Sequence, residues 1–159
     1  MLRPAILYKD EIIRKSQELF YTEDMLLYNG YLNNRQINII DGDDNGNIFQ
    51  YAIVNKEEKL VGYISFTMDW YSSCAYAFGL ISFDKGNINI GLAINEILNK
   101  VIKEFKVHRI EYRMIGDNPV KKHYDKFCKK YNGRIIELKD CFKDRQGKYR
   151  NEYIYEILF

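Results

Sequence analysis

The chain has 159 residues, 47% of them hydrophobic and 29% charged, with a formal net charge of +2 at pH 7. That length and apolar content suit one domain, 1–159, with one sizeable core, and leave little room for a second. No run approaches the ~18 uninterrupted apolar residues of a membrane span, and Met1-Leu2-Arg3-Pro4 reaches Lys9-Asp10-Glu11 too soon for a signal-peptide core, so a cytoplasmic location without a membrane partner is expected.

Cys74, Cys128 and Cys141 are widely spaced and lack the C-x-x-C pairing of zinc or redox sites, so they read as reduced thiols. The small net charge hides an asymmetry. Residues 1–99 hold 8 Lys/Arg against 13 Asp/Glu (net −5), whereas residues 100–150 hold 16 against 7 (net +9). Such a split serves two ligands of opposite charge within one fold, or is solvated surface charge.

In chain order, Ile6 and Leu7 are expected to end a short first strand. Asp10 then caps a helix with Ile12, Ile13, Ser16, Leu19 and Phe20 at helical spacing. A second short helix is expected from Glu23 to about Tyr28, stopping before Gly30. Asn33 to Asn47 reads as a turn-rich loop, whose acidic run Asp41-Gly42-Asp43-Asp44 lacks the spacing and final Glu of a calcium loop. Phe49–Val54, Leu60–Met68 and Cys74–Phe83 read as three strands of an antiparallel meander. At Gly91 the period changes, and Ile94, Ile97, Leu98, Val101, Ile102 and Phe105 form one broad helical stripe. His108–Met114 alternates as a strand. A helix opens at Asn118-Pro119 and ends near Asn132-Gly133, and Arg134–Phe142 with Tyr149–Phe159 form a hairpin about Asp144-Arg145-Gln146-Gly147.

This order resembles the GNAT acetyltransferase fold over nearly the whole chain, and three segments add to the resemblance. The run from Leu80 through Gly86-Asn87-Ile88-Asn89-Ile90-Gly91-Leu92 is similar to the family's coenzyme A segment, whose usual signature is Q/R-x-x-G-x-G/A. With Gly91 as the last Gly, Gly86 stands at the Gln/Arg position and Asn89 at the first Gly, so one-third of the signature is kept. A helix start still favours an anion whatever the side chains, and Asn89 tolerates left-handed backbone. An ordinary strand-to-helix turn is the structural alternative. The segment His108 to Lys126 resembles the family's strand followed by N-x-x-A-x-x-x-Y, with Tyr124 as the Tyr and either Asp117 or Asn118 as the Asn, while the family's following L-G-F is replaced by Phe127-Cys128-Lys129. Asp140 to Leu158 looks like the closing two strands, a structural element that also suits a homodimer.

The resemblance implies an α+β fold: a mixed, mainly antiparallel twisted sheet of about seven strands, with about four helices, splayed between the fourth and fifth strands. It implies an N-acetyltransferase moving the acetyl group of acetyl-coenzyme A to a small-molecule or peptide amine by direct attack, without a metal. Tyr124 would be the acid that protonates the departing thiolate, since a phenol is protonated at neutral pH. Ile81, Ser82, Phe83, Gly86, Asn87, Ile88, Asn89, Ile90, Gly91, Leu92 and Asp117 or Asn118 would hold the cofactor. The fourth strand carries no carboxylate to serve as base, which leaves water, Asp69, Glu23 or Asp24 on the acceptor side. The acidic first part suits a cationic acceptor. For Tyr124 a packing role on the buried helix face remains open, as does a capping role for Asn118. His108 and His123 are not assigned a role. A non-catalytic GNAT-like domain binding acyl-coenzyme A or a protein is the alternative, and nucleic acid is not an expected partner despite Lys121, Lys122, Lys126, Lys129, Lys130 and Arg134, which suit a solvated helix face.

Overall fold

A computed structural model describes residues 1–22, 37–40, 46–144 and 146–159. Seven strands form one sheet: β1 (Leu2–Pro4), β2 (Ile48–Val54), β3 (Leu60–Asp69), β4 (Cys74–Ser82), β5 (Arg109–Ile115), β6 (Arg134–Lys143) and β7 (Tyr149–Leu158). Their spatial order is β1-β2-β3-β4-β5-β7-β6, antiparallel throughout except for the parallel β4–β5 neighbours. The helices are α1 (Lys9–Thr22), α2 (Ile88–Asn99) and α3 (Lys121–Lys130). This is the α+β architecture expected. The second short helix, Glu23 to Tyr28, and the acidic loop at 41–45 lie outside the described residues.

The first strand runs Leu2–Pro4 rather than through Ile6 and Leu7, because Leu2, Arg3 and Pro4 pair with Ile53, Ala52 and Tyr51 at the edge of the sheet, where proline's missing N–H costs no ladder bond. Ala5–Tyr8 is a 3-10 turn that buries Ala5 and leaves Leu7 exposed before feeding α1. In α1, Ile12 and Ser16 face inward, and Asp10 and Glu11 lie in the first turn, where the helix dipole favours acids.

Helix α2 begins three residues before Gly91. Asn87 caps it by accepting the Asn89 N–H at 2.9 Å, since a cap needs a short acceptor side chain on extended backbone. Its fully buried positions are Ala93 and Ile97, followed by Val101 just past its end, with Ile94, Leu98, Ile102 and Phe105 packed around them. Past Asn99 the winding loosens to a π turn, closed by Phe105 N–H on the Lys100 carbonyl at 3.0 Å. That turn aims Phe105 at the rings of Trp70 and Phe49, 5.3 and 5.2 Å away.

The sheet has two hydrophobic faces. One, with Ile64, Phe66, Ile110, Tyr112 and Tyr155, lies under α2 and α3, and the other, with Ala52, Tyr63 and Ile81, lies under α1. At Gly62 of β3 the Ile90 side chain of α2 packs directly onto the strand. A Cβ there would sit 2.6 Å from Ile90 Cδ1 and 2.9 Å from the Ile81 carbonyl oxygen, so only glycine admits that approach.

Candidate functional site

Strands β4 and β5 pair only at Cys74–Arg109 and Ala75–Ile110 and then part. A bulge explains the parting. Between Ser65–Gly79 and Thr67–Tyr76 two residues of β4, Ala77 and Phe78, oppose Phe66 alone, and Ala77 takes φ 54°, a left-handed value that L side chains disfavour. The extra residue bends β4 away from β5 just past their last pair. The gap holds a cavity of about 230 Å³. Its walls are Phe78, Gly79 and Leu80 of β4, Ile110, Tyr112, Arg113 and Met114 of β5, Ile94, Asn95 and Leu98 of α2, and the start of α3 with Asn118, His123, Tyr124 and Phe127.

The strand edges beside the gap carry backbone groups free of a β4–β5 ladder. Of the three β4-end residues expected to hold a cofactor, Phe83 donates its N–H to the Val61 carbonyl at 2.9 Å. By strand alternation Ile81 also turns its backbone to β3, whereas Ser82 and Leu80 turn theirs to the open edge. The Ser82 hydroxyl bonds the Asp84 carbonyl at 2.9 Å, starting the loop to α2. In that loop the left-handed residue is Gly86, at φ 83°, rather than Asn89, which lies within the first turn of α2. Asn87 Oδ1 takes both the N–H and the side-chain amide of Asn89, and its own amide bonds Asp84 Oδ2 at 2.8 Å. An anion at this helix start would therefore meet the dipole and the remaining first-turn amides. Ile88 and Leu92 are exposed there, and a Cβ on Gly91 would meet nothing within 4 Å.

On the facing helix, Tyr124 turns into the cavity beside Asn118 and His123. Its ring packs 5.4 Å from that of Tyr112 and 6.2 Å from that of Tyr155, and its hydroxyl bonds no described residue. Burial raises the Tyr124 hydroxyl above its ordinary value, which keeps it a proton donor. The helix is tied down around it. Tyr112 donates to the Tyr124 carbonyl at 3.2 Å, Tyr155 donates to Asp125 Oδ1 at 2.7 Å, and Lys121 holds the same carboxylate at 2.9 Å. Tyr155 in turn stacks on Tyr112 at 4.7 Å. Asn118 accepts the Val120 N–H at 3.1 Å in the turn that leads into α3, while lining the cavity.

Two expected site residues stand apart from this group. Asp117 is held by Arg150, which also grips Asp144, so the loop before α3 is clamped to the β6–β7 hairpin. Asp69 accepts from Tyr71 N, Ser72 N and Ser72 Oγ (2.6 Å) in the β3–β4 turn, and the Ser72 hydroxyl chiefly holds it below the ordinary carboxylate range, which makes it a weak base. Glu23 and Asp24 lie outside the described residues. Conversely, Arg113, His123, Asn95 and Glu152 were not singled out in the sequence. His123 follows Lys121 and Lys122 and reads as surface charge, and Arg113 carries only the alternation it shares with Arg109 and Glu111. The readable signal was position, one residue before Tyr124 and within the strand that leads to it.

The splayed mixed sheet with its helices is the GNAT N-acetyltransferase fold. Among solved structures, the chain is similar to a chimera of spermidine N-acetyltransferase SpeG from Vibrio cholerae and hSSAT, at 18% identity over 72% of this chain and 70% of that one, TM-score 0.58. It is also similar to spermidine/spermine N-acetyltransferase SpeG from Vibrio cholerae in complex with manganese ions, at 17% identity over 72% and 67%, TM-score 0.57. A structure described as a probable acetyltransferase matches at 15% identity over 71% and 63%, TM-score 0.55. No protein-family model matches the sequence, and no curated protein matches it significantly.

Proposed function

We propose that this chain is an acetyl-coenzyme A-dependent N-acetyltransferase acting on a cationic primary amine. The observation that carries the reading is the β4–β5 gap. It is an apolar cavity, flanked by unpaired strand edges, with the half-buried Tyr124 in its wall. Such a gap suits a pantetheine arm, whose amides would bond the open edges at Ser82 and Leu80. The α2 start, from Gly86 to Leu92, would meet the pyrophosphate through its dipole. Within this reading the acetyl carbonyl lies near the β4 bulge, the amine attacks its carbon directly, and positioning supplies much of the acceleration. Tyr124 then protonates the sulfur as the C–S bond breaks. Asn118 and the Arg150–Asp117 clamp would hold the helix that presents it.

The acceptor class rests on charge. The net −5 of residues 1–99 would steer a cation, and spermidine, named for several of the similar structures, fits that requirement. We place the activity in the cytoplasm; among the described residues no helix is long and apolar enough to cross a membrane. The test is mass-spectrometric screening of polyamines, aminoglycosides, amino acids and peptides with acetyl-coenzyme A, beside the thermal shift caused by coenzyme A. Acetylation of cationic amines, faster at low salt than at high salt, is the expected result. A thermal shift without any acetylated amine would overturn catalysis in favour of an acyl-coenzyme A-binding domain.

A further inference from the structure

We propose that Glu152 is the carboxylate that meets the acceptor's ammonium group and takes its first proton, on the sheet face opposite α3. The inference rests on the transferase reading above and names its missing base. Strand alternation puts Glu152 of β7 beside Ile115 of β5 and Leu138 of β6, on the face away from Tyr112, Tyr153 and Tyr155. The side chain is 4% exposed, and its Oε1 bonds no group among the described residues. Buried carboxylate oxygens are normally satisfied, so one left open points to a ligand. Its other oxygen lies 3.8 Å from Arg113 Nη1, too long for a hydrogen bond. Arg113 is also one of the residues that line the cavity, so Glu152 neighbours a residue of the β4–β5 gap.

Several charged groups around it are engaged with one another. On β5, Glu111 is paired with Arg113 at 3.3 Å, and Arg109 reaches Glu156 at 3.6 Å. On β6, Arg134 holds Glu156. On its own strand, Arg150 is committed to Asp117 and Asp144. Glu152 keeps one buried oxygen without a partner among the described residues. Burial raises its carboxyl above the ordinary value while Arg113 lowers it less, and a raised carboxylate is the stronger base.

The proton account closes. The ammonium gives one proton to Glu152, and the neutral nitrogen forms the C–N bond to the thioester carbonyl carbon. When the C–S bond breaks, the thiolate takes the Tyr124 proton. The nitrogen sheds its second proton on becoming an amide, and that proton restores Tyr124 through water. Glu152 returns its proton to solvent, so one proton is released per acetyl transferred.

The experiment compares the full-length chain with Glu152→Gln. The probe amine is the best acceptor in the panel above, or spermidine if none turns over. Gln should lower kcat/KM for the protonated amine by roughly 10²-fold and remove the acidic limb of its pH profile, with the coenzyme A thermal shift intact. Methoxyamine, already neutral at pH 7, should lose little. In wild-type protein labelled at the glutamate carboxyl carbon, the signal missing from the variant should move when the probe amine is added. An unchanged pH profile with an unmoved signal overturns the proposal and leaves the transferase reading standing. If the wild type acetylates no amine, that reading falls, and the carboxyl signal still decides whether Glu152 binds a cation. Should Gln prevent folding, Glu152→Asp serves instead. It keeps the charge on a shorter arm, and an undiminished kcat would overturn the proposal.

Discussion

Replacing Tyr124 with Phe separates chemistry from packing with unusual clarity here. The ring and its contacts with Tyr112 and Tyr155, at 5.4 and 6.2 Å, are kept, and the bond from Tyr112 ends on the Tyr124 backbone carbonyl, which the substitution leaves in place. Because the hydroxyl bonds no described residue, its deletion orphans no described partner, and stability should stay within about 0.5 kcal/mol of wild type. If the hydroxyl protonates the departing thiolate, turnover should fall by roughly 10²-fold, equivalent to about 2.7 kcal/mol of barrier at 1.36 kcal/mol per tenfold. The assay is kcat at saturating acetyl-coenzyme A together with thermal midpoints with and without coenzyme A. A thioester with a more acidic thiol needs less protonation and should lose less. Intact turnover, or a fall in turnover matched by loss of the coenzyme A shift, would refute the role and leave Tyr124 a packing residue.

Further outcomes follow from the same geometry. Gly62→Ala should cost roughly 1–3 kcal/mol by overpacking against Ile90 and the immovable Ile81 carbonyl, visible as a lower denaturant midpoint, and should also weaken coenzyme A binding by tilting the start of α2. Gly91→Leu, whose Cβ meets nothing, should stay folded yet lose the coenzyme A thermal shift; a retained shift would put the pyrophosphate elsewhere. Glu152→Gln should also change stability with pH. The raised carboxyl of Glu152 binds its proton more tightly when folded, so the cost of the ionised form is full above the folded pKa and gone below the ordinary value of 4.5. The variant should therefore melt higher than wild type at neutral and alkaline pH, with the difference closing as pH falls toward 4.5, as calorimetry can follow.

Much of the fold was legible locally. The helical stripe from Ile94 to Phe105, the alternation of His108–Met114 and the closing hairpin are short-range patterns, and periodicity reports them directly. Element edges were less legible because they are decided by partners. Asn87 rather than Gly91 starts α2 because Asn89 offers it an amide, and Leu2–Pro4 rather than Ile6–Leu7 is the first strand because β2 lies beside it. Tyr124 was readable as a candidate from the motif-like segment that holds it.

The cavity beside Tyr124 was not readable, since no single segment contains it. It exists because one extra residue in β4, at Ala77, bends that strand from β5 after two pairs, and because α2 and α3 close the gap from one side. The same holds for charge. Sequence determined that the chain has an acidic first part and a basic later one, because composition is local. Only the tertiary structure decided that Asp117 is neutralised by Arg150, that Asp69 is locked in a turn, and that Glu152 is buried beside Arg113 with one oxygen open. A carboxylate's chemistry depends on its solvation and on neighbours from distant parts of the chain, and those are set only when the strands pack.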